Sequence, residues 1–250
     1  MEKNCLFGKH ALVVGGSGGI GREISLLLSK YCASISVHGS RESKKFDSLL
    51  QKIESSCAAK KIICDFSSLD FESAESAALF EEAKNCDILC VCFGPFVQKT
   101  LLETSELDWK TVALLDYALP GALVSRALPR MVAHSFGRIL LFGGTGTSHR
   151  AEFFTTAAYS GAKAGVGVIV SSCAAFYAKN GITCNAILPG FTLTEYTEHL
   201  DFELASKMPL KRQISAKTIA KTALFLLQNE DINGAILRVD QGWTNLTAEK

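Results

Sequence analysis

Short apolar segments alternate with longer amphipathic segments along most of the chain. The short segments have the length and apolar character of buried strands and lie at 11–14, 34–38, 61–64, 87–92, 138–142, 183–188 and 236–239. Helical segments are predicted between them, at 22–30, 43–56, 70–84, 107–133, 157–179 and 216–228. This alternation predicts an α/β fold, a doubly wound parallel sheet of about seven strands with helices on both faces. No repeat or linker interrupts it, so one domain is expected over 1–250.

A glycine-rich turn joins the first predicted strand to the first predicted helix. Its sequence over 15–21 is Gly-Gly-Ser-Gly-Gly-Ile-Gly. Glycine tolerates positive φ and close backbone approach, and a helix N-terminus presents unpaired N–H groups with a positive dipole. Such a turn predicts a site for the pyrophosphate of a dinucleotide. The residues expected to line it are Gly15, Ser17, Gly18, Gly19, Ile20 and Gly21. The alternative is a turn that only reverses the chain.

A tyrosine and a lysine lie one helical turn apart in the helix predicted at 157–179. Residues at i and i+4 share a helix face, so Lys163 is placed to reach toward the Tyr159 oxygen. A positive charge at about 4 Å is worth roughly 4 kcal/mol at an effective dielectric of 20, enough to lower a phenol pKa by about 3 units. The pair therefore predicts acid–base chemistry at Tyr159. The alternative is that Tyr159 packs and Lys163 only binds a ribose.

Five segments, in order along the chain, resemble the short-chain dehydrogenase/reductase family, and within it the 3-oxoacyl-thioester reductase branch. They are 14–21, the pair Tyr159 and Lys163, 181–194 with its Pro-Gly turn, 208–212 and 237–242. The likeness extends from Gly8 to about Gly242. It implies a Rossmann-type fold, a nicotinamide cofactor, a small carbonyl or alcohol substrate, and a homo-oligomer, either a dimer or a tetramer.

The resemblance also implies cofactor contacts at the ends of several strands. The segment after the third strand would meet the adenine edge, and the segment after the fourth would pass the adenosine ribose. The Pro-Gly turn would close over the nicotinamide, and the threonines after it would contact the carboxamide or phosphates. The residues concerned are Asp65, Phe66, Phe93, Gly94, Pro189, Gly190, Thr192 and Thr194.

The end of the second predicted strand distinguishes NAD from NADP. An NAD site places a carboxylate about 20 residues beyond the glycine turn, where it binds the ribose 2′-hydroxyl. That position is Gly39, and Ser40 and Arg41 follow it. Because a guanidinium makes charge-assisted, forked hydrogen bonds to a phosphate, NADP(H) is favoured. In the alternative, Arg41 is a solvated loop residue and Glu42 takes the role of the acid.

The resemblance also implies a serine whose hydroxyl orients the substrate carbonyl, and this sequence has no serine at the position where the family places it. Counting along the strand at 138–142 leads to Gly144, and counting back from Tyr159 leads to Gly146. Thr145 and Thr147 are the candidate substitutes. An orienting hydrogen bond is worth about 10²–10³ in rate, so its loss predicts a slow enzyme.

Two further positions depart from the family pattern. Val91 and Cys92 replace two asparagines that would brace the sheet, and Asp116 replaces the helix asparagine of the proton relay. A carboxylate at Asp116 can hold a relay water near Lys163. Its charge would also occupy the ammonium and oppose ionisation of Tyr159.

Composition narrows the remaining classes. With 48% hydrophobic residues and a net charge of +1, the chain offers no electrostatic basis for binding nucleic acid or an anionic membrane. No apolar stretch is expected to reach the ~18–20 residues of a membrane span, and no signal peptide is evident. The nine cysteines lack zinc-type spacing, so we expect reduced thiols, no metal site and a cytoplasmic protein.

The sequence thus predicts an NADP(H)-dependent oxidoreductase. Hydride would pass to a substrate carbonyl and Tyr159 would protonate the alkoxide; the resemblance implies a 3-oxoacyl thioester, with an unrelated ketone or alcohol as the second choice. The segment 191–212 is either an amphipathic lid over an apolar substrate or a packed helix. A different class also stays open, a catalytically impaired protein that binds NADP(H) as a sensor or scaffold.

Overall fold

Seven parallel strands form the central sheet in the computed structural model, which describes residues 5–66, 70–150 and 152–243. In chain order, with the short pair β7 and β8 outside this sheet, the strands are β1 (His10–Val14), β2 (Ser34–Gly39), β3 (Ala58–Ile63), β4 (Ile88–Val91), β5 (Gly137–Phe142), β6 (Ile182–Pro189), β7 (Thr192–Leu193), β8 (Ile214–Ser215) and β9 (Ile236–Val239). The sheet order is β3-β2-β1-β4-β5-β6-β9. The order reverses between β1 and β4, and α/β sheets bind ligands at the carboxyl side of such a reversal.

Helices connect the strands and cover both faces of the sheet. They are α1 (Gly19–Leu28), α2 (Lys44–Glu54), α3 (Ala74–Asn85), α4 (Glu106–Val112), α5 (Leu119–Ala133), α6 (Ala157–Tyr177), α7 (Asp201–Lys207) and α8 (Ala216–Gln228). The predicted fold class, a doubly wound α/β sheet, is confirmed. The helix predicted at 107–133 is divided by a π-helical segment, Ala113–Ala118, which the apolar periodicity did not reveal.

The core consists of two apolar layers, one on each face of the sheet. Alternation along β1 supplies both, because Leu12 and Val14 face one layer while Ala11 and Val13 face the other. The first layer includes residues of α3, α5 and α6, and the second includes residues of α1, α2 and α8. The sheet is therefore buried on both faces. The loops that follow the strands lie at the carboxyl edge of the sheet.

Two helical segments have the length and apolar composition that a membrane span requires. They are Glu106–Ala133 and Ala157–Asn180, so the expectation that no stretch reaches this length is wrong. Both lie against the sheet and contribute Leu119, Val166 and Val170 to the core. Core helices of α/β proteins satisfy the same criteria, so length and composition alone are no evidence that these segments contact a membrane.

Candidate active site

The glycine-rich turn lies at the carboxyl edge of the sheet, between the end of β1 and the start of α1. Gly15 has a φ of +73°, a conformation that glycine adopts without strain. Helix α1 packs directly on the turn, since a Cβ on Gly21 would lie 2.2 Å from the Gly15 carbonyl oxygen. Gly18 is the residue that precedes the helix. The turn and helix N-terminus predicted from the sequence are therefore present.

A buried histidine, not singled out from the sequence, holds this turn. His38 Nδ1 accepts a hydrogen bond from the Gly15 amide at 3.0 Å, and Nε2 lies 2.8 Å from the Cys64 carbonyl oxygen. Both contacts are satisfied by a neutral ring with its proton on Nε2. Burial lowers the pKa of His38 to about 4, against the opposing effect of the bond to Cys64. The available signal was a histidine near the end of a strand parallel to β1.

Two residues from the segment after β6 lie on the glycine-rich turn. The Gly19 amide donates a hydrogen bond to Glu195 Oε1 at 3.0 Å. The Tyr196 hydroxyl lies against Gly18, 2.3 Å from the place of a Cβ on that glycine. A carboxylate shares its negative charge and acceptor oxygens with a phosphate, so this amide has the anion-binding capacity that the sequence predicted. Neither Glu195 nor Tyr196 was predicted, because 176 positions separate Glu195 from Gly19.

The end of β2 leaves no space for the carboxylate of an NAD-type site. A Cβ on Gly39 would lie 2.6 Å from Ser17 Oγ. Ser40 and Arg41 follow and are exposed beside the turn. Burial raises the pKa of Tyr196 whereas the Arg41 guanidinium lowers it, so Arg41 lies within electrostatic reach of the residue that covers the turn.

Aromatic rings border the turn on its β3 and β4 sides. Phe66 has a φ of +55°, and its ring centroid lies 5.7 Å from that of His38 and 5.6 Å from that of Phe93. Asp65 is exposed at the end of β3. The predicted adenine and ribose contacts therefore lie next to the turn, with Phe93 leading into Gly94.

Tyr159, Lys163 and Asp116 meet near the end of β4. Lys163 Nζ lies 6.0 Å from the Tyr159 ring centroid and 2.9 Å from Asp116 Oδ1. Asp116 is fully buried in the π-helical segment Ala113–Ala118, a distortion that is frequent at functional sites. The structure thus brings the three predicted residues together, with the ammonium paired to the carboxylate.

The electrostatics of this group differ from the prediction for Tyr159. Burial raises the pKa of Tyr159 above the ordinary phenol range, and the charge of Asp116 raises it further. Burial likewise raises the pKa of Asp116 to about 6, against the lowering effect of Lys163. The predicted lowering of the phenol pKa by Lys163 is wrong for this arrangement, because burial raises that pKa and a carboxylate 2.9 Å from Lys163 compensates the lysine charge.

Two glycines adjoin the group. A Cβ on Gly94 would lie 2.0 Å from Asp116 Oδ1. A Cβ on Gly144 would lie 3.1 Å from Tyr159 Cε1, whereas one on Gly146 would face Arg150. Gly144 therefore occupies the position from which a side chain would reach Tyr159, and that position carries no hydroxyl.

The two candidate substitutes for that hydroxyl are directed elsewhere. Thr145 Oγ1 donates to the Pro189 carbonyl oxygen at 2.5 Å, and Thr147 Oγ1 donates to the Gly144 carbonyl oxygen at 2.8 Å. A hydroxyl has one hydrogen to donate, so neither presents it to a carbonyl beside Tyr159. The prediction of Thr145 as the orienting group is not supported; Thr145 instead ties the end of β5 to the Pro-Gly turn.

The predicted nicotinamide-side residues form a compact turn after β6. Thr192 Oγ1 donates to the Gly190 carbonyl oxygen at 2.9 Å. The Thr194 amide donates to Thr197 Oγ1 at 3.0 Å, and that hydroxyl in turn donates to the Thr192 carbonyl oxygen at 2.7 Å. Thr192 is thus tied to Gly190 by its own hydroxyl, and Thr194 is tied to Thr192 through the hydroxyl of Thr197.

An exposed aromatic ring adjoins Tyr159, and a separate cavity lies beside the start of α1. The Phe96 ring meets the Tyr159 ring edge-on at 4.9 Å and is 60% exposed. Helix α7 has no buried residue, and its Phe202 is 92% exposed. A cavity of about 380 Å³ lies between the N-terminus of α1 and residues 193–201. Met208, which follows α7, is buried in the core, so both alternatives for 191–212 stay open. Within the described ranges, no cluster of three or more His, Cys, Asp or Glu could hold a metal.

Known proteins resemble this chain over nearly its whole length. The profile of the family described as enoyl-(acyl-carrier-protein) reductase matches residues 15–244. The 3-oxoacyl-[acyl-carrier-protein] reductase of Staphylococcus aureus is 29% identical, covering 94% of this chain and 97% of that protein.

Solved structures from Agrobacterium tumefaciens share the fold. One described as a gluconate dehydrogenase is 29% identical with a TM-score of 0.82, covering 95% of this chain and 96% of that one. Another, described as a 2-deoxy-D-gluconate 3-dehydrogenase with bound NADP, is 26% identical with a TM-score of 0.83, covering 97% and 99%.

Proposed function

Because the chain belongs to the short-chain dehydrogenase/reductase family and is an oxidoreductase, we propose that it is an NADP(H)-dependent carbonyl reductase with Tyr159 as its proton donor. The observation that carries the proposal is the position of Tyr159. Its ring stands on α6 beside Gly144 and Phe96, at the carboxyl edge of the sheet. A phenol kept protonated there is suited to donating a proton to an alkoxide.

The cofactor assignment rests on the glycine-rich turn and the end of β2. The Gly19 amide already binds a carboxylate, and a pyrophosphate would take that place when Glu195 leaves. Gly39 and Ser17 exclude an acidic side chain, while Arg41 is exposed and available to a 2′-phosphate. When bound, the cofactor supplies the hydride. Pro189, Gly190, Thr192 and Thr194 would position its nicotinamide end, and Lys163 its ribose.

The substrate we propose is a 3-oxoacyl thioester. Support comes from the Staphylococcus aureus relative and from the exposed Phe96 ring beside Tyr159, which would cover part of an acyl chain. We also propose a homo-oligomer in the cytoplasm, without nucleic-acid or membrane partners. Apolar side chains exposed on the long helices, such as Val168 and Phe176 on α6, would lie between subunits.

The test begins with calorimetric titration of the purified protein with NADPH and, separately, NADH. We expect tight binding of NADPH and weak binding of NADH. Acetoacetyl thioester and NADPH are then mixed, and consumption of NADPH is followed by its absorbance. Failure of both cofactors to bind would overturn the proposal.

A second candidate, a cofactor-binding sensor or scaffold without turnover, is favoured by one observation. Gly144 stands where a carbonyl-orienting hydroxyl would reach Tyr159, and Thr145 donates its hydrogen to Pro189 instead. The same titration separates the two candidates. NADPH binding without turnover of acetoacetyl thioester or of a panel of ketones would establish the second.

A further inference from the structure

Asp116 is a buried carboxylate with a single cationic neighbour. Its side chain is fully buried, and among the described residues the hydrogen-bond donor that reaches it is Lys163. Lys163 Nζ lies 2.9 Å from Oδ1 and makes an ion pair with it. The backbone makes room for this pair, since any side chain at Gly94 would collide with both charged groups. The lysine is thus held to the carboxylate, and the phenol receives little of its charge.

We propose that Asp116, by engaging Lys163 and so keeping Tyr159 protonated, moves the pH range in which Tyr159 donates its proton upward. The inference rests on the proposed function, because it concerns the proton that Tyr159 donates. Asp116 acts through Lys163 and Tyr159, so it is a positioning residue and does not itself touch the reacting atoms.

The proton balance explains why the protonation state of Tyr159 sets the pH range of reduction and of oxidation. In reduction, hydride forms the new C–H bond, the Tyr159 O–H bond breaks, and its proton forms the O–H bond of the product. The tyrosinate that remains takes a proton from water. In oxidation, the tyrosinate must be present first, since it accepts the alcohol proton as hydride leaves. A group that disfavours tyrosinate therefore moves both the decline of reduction and the onset of oxidation to higher pH, while the equilibrium constant of the reaction is unchanged.

The groups that titrate around the pair act in the same sense. Burial raises the pKa of Tyr159, and the Asp116 charge raises it further. Cys92, at the end of β4, has its thiol pKa raised by burial against the effect of Lys163, so it is neutral and adds no charge. Among the described residues, Lys163 is the charged group that acts on Asp116, and it faces the carboxylate from α6. The charge of the Asp116 carboxylate is therefore the charge to remove by substitution when the Tyr159 pKa is tested.

The size of the effect follows from the distance involved. Lys163 Nζ lies 6.0 Å from the Tyr159 ring centroid. A unit charge about 6 Å away, at an effective dielectric of 20, shifts a pKa by about 2 units. Replacing Asp116 by the isosteric asparagine removes the opposing charge and frees the ammonium to act on the phenol. Asp116→Asn should therefore lower the pKa of Tyr159 by about 2 units or more.

The direct experiment measures the ionisation of Tyr159 by the near-ultraviolet absorbance of tyrosinate. Wild type and Tyr159→Phe are titrated from about pH 8 to about pH 11, around the ordinary phenol pKa of about 10, and their difference isolates Tyr159. We expect no Tyr159 signal in this range for wild type. In Asp116→Asn, measured against the double variant that also carries Tyr159→Phe, the signal should appear.

Three outcomes would overturn the inference. The first is ionisation of Tyr159 in wild type at or below the ordinary phenol pKa. This result would overturn the inference by itself, without any measurement on an Asp116 variant. The other two are an unshifted and a raised Tyr159 pKa in Asp116→Asn. The control, Glu106→Gln, removes a carboxylate from the exposed first turn of α4 and should leave the Tyr159 titration unchanged.

The kinetic experiment compares the two directions across pH. Oxidation of a 3-hydroxybutyryl thioester with NADP⁺ should rise at lower pH in Asp116→Asn than in wild type, by the same shift as the titration. Reduction of acetoacetyl thioester should fall off at correspondingly lower pH. Equal pH profiles for the two proteins would contradict the inference. Since the absorbance titration requires no turnover, failure of the proposed function would leave it interpretable.

Discussion

The Gly19 amide at the start of α1 donates a hydrogen bond to Glu195 Oε1, 3.0 Å away, and so binds a carboxylate from the segment that follows β7. Tyr196 lies over Gly18 next to it. A helix N-terminus that accepts phosphate also accepts a carboxylate, because both present negative oxygen atoms to the same amides. A pyrophosphate bound at this amide would therefore displace the Glu195 side chain.

This relationship predicts that Glu195→Gln binds NADPH more tightly. The glutamine keeps the size of the side chain but removes the charge that competes with phosphate. We expect the dissociation constant to fall about threefold to tenfold, within the net contribution of about 0.5–1.5 kcal/mol that a typical hydrogen bond makes. Calorimetric titration at low salt measures it. Glu198→Gln is the matched control, since Glu198 lines the same cavity, and the structure shows no bond from it to the Gly19 amide. An equal gain in both variants would show that general repulsion is the cause.

Arg41→Met should reduce NADPH binding and leave NADH binding nearly unchanged. The guanidinium is exposed at the end of β2, beside the position where Gly39 leaves no carboxylate. Loss of a charge-assisted contact to the 2′-phosphate should cost about 10- to 100-fold in affinity. Titrations with both cofactors measure the ratio. Lys44→Met removes a positive charge a few residues further on and should leave the ratio intact. A parallel fall for NADH in Arg41→Met would argue against recognition of the 2′-phosphate.

Tyr159→Phe should abolish turnover while the affinity for NADPH stays within about twofold. The hydroxyl is the proposed proton donor, and positioned proton transfer contributes about 10²–10⁴ in rate. Phenylalanine keeps the edge-on contact with Phe96 and the packing on α6. The measurement pairs NADPH consumption with calorimetry. Retained turnover would remove Tyr159 from the reaction, and a joint loss of turnover and binding would indicate a structural role.

Gly94→Ala should lower the free energy of unfolding. The added Cβ would lie 2.0 Å from Asp116 Oδ1 and 3.0 Å from Lys163 Nζ, so the ion pair must shift or separate. Overpacking of this kind costs about 1–3 kcal/mol. Urea denaturation measures it.

Gly161→Ala serves as its matched control. Gly161 lies within α6, and a Cβ there would meet nothing within 4 Å. That substitution should raise the free energy of unfolding by about 0.5–1 kcal/mol, because alanine is the better helix former. A loss of stability at Gly161 comparable to that at Gly94 would contradict the explanation by collision.

Stability should decline between about pH 6.5 and about pH 4 through His38. The pKa of its imidazole is lowered to about 4 by burial, and a histidine in the unfolded chain binds a proton near pH 6.5. The unfolded state therefore takes up the proton first as pH falls, and the folded state loses about 3 kcal/mol relative to it across this window. Urea denaturation at pH 7 and at about pH 4.5 measures the change. In His38→Gln the decline should be smaller by about this amount; an equal decline would exclude His38 as its source.

Local sequence determined the fold class and the position of the turn. Apolar runs with glycine turns between them specify buried parallel strands, because their periodicity and their breakers are properties of neighbouring residues. The bounds of β2, β5 and α8 were predicted within one residue. The strand β3 begins three residues before the predicted 61, because Ala58, Ala59 and Lys60 are exposed or half-buried at this edge of the sheet and form no apolar run.

Tertiary structure alone decided how the candidate residues use their charges and hydroxyls. The motif placed Lys163 beside Tyr159, but the distance from Asp116 to Lys163 depends on a π-helix and on the space at Gly94, which no spacing rule contains. The sequence offered the Thr145 hydroxyl as a candidate for orienting the substrate, but in the fold this hydroxyl donates to the Pro189 carbonyl oxygen. Contacts such as these join positions far apart in the chain, and electrostatic effects depend on distance and burial, which the order of residues does not state. The sequence thus determined which groups are present at the site, and the packing of the strand ends decided which of them face one another.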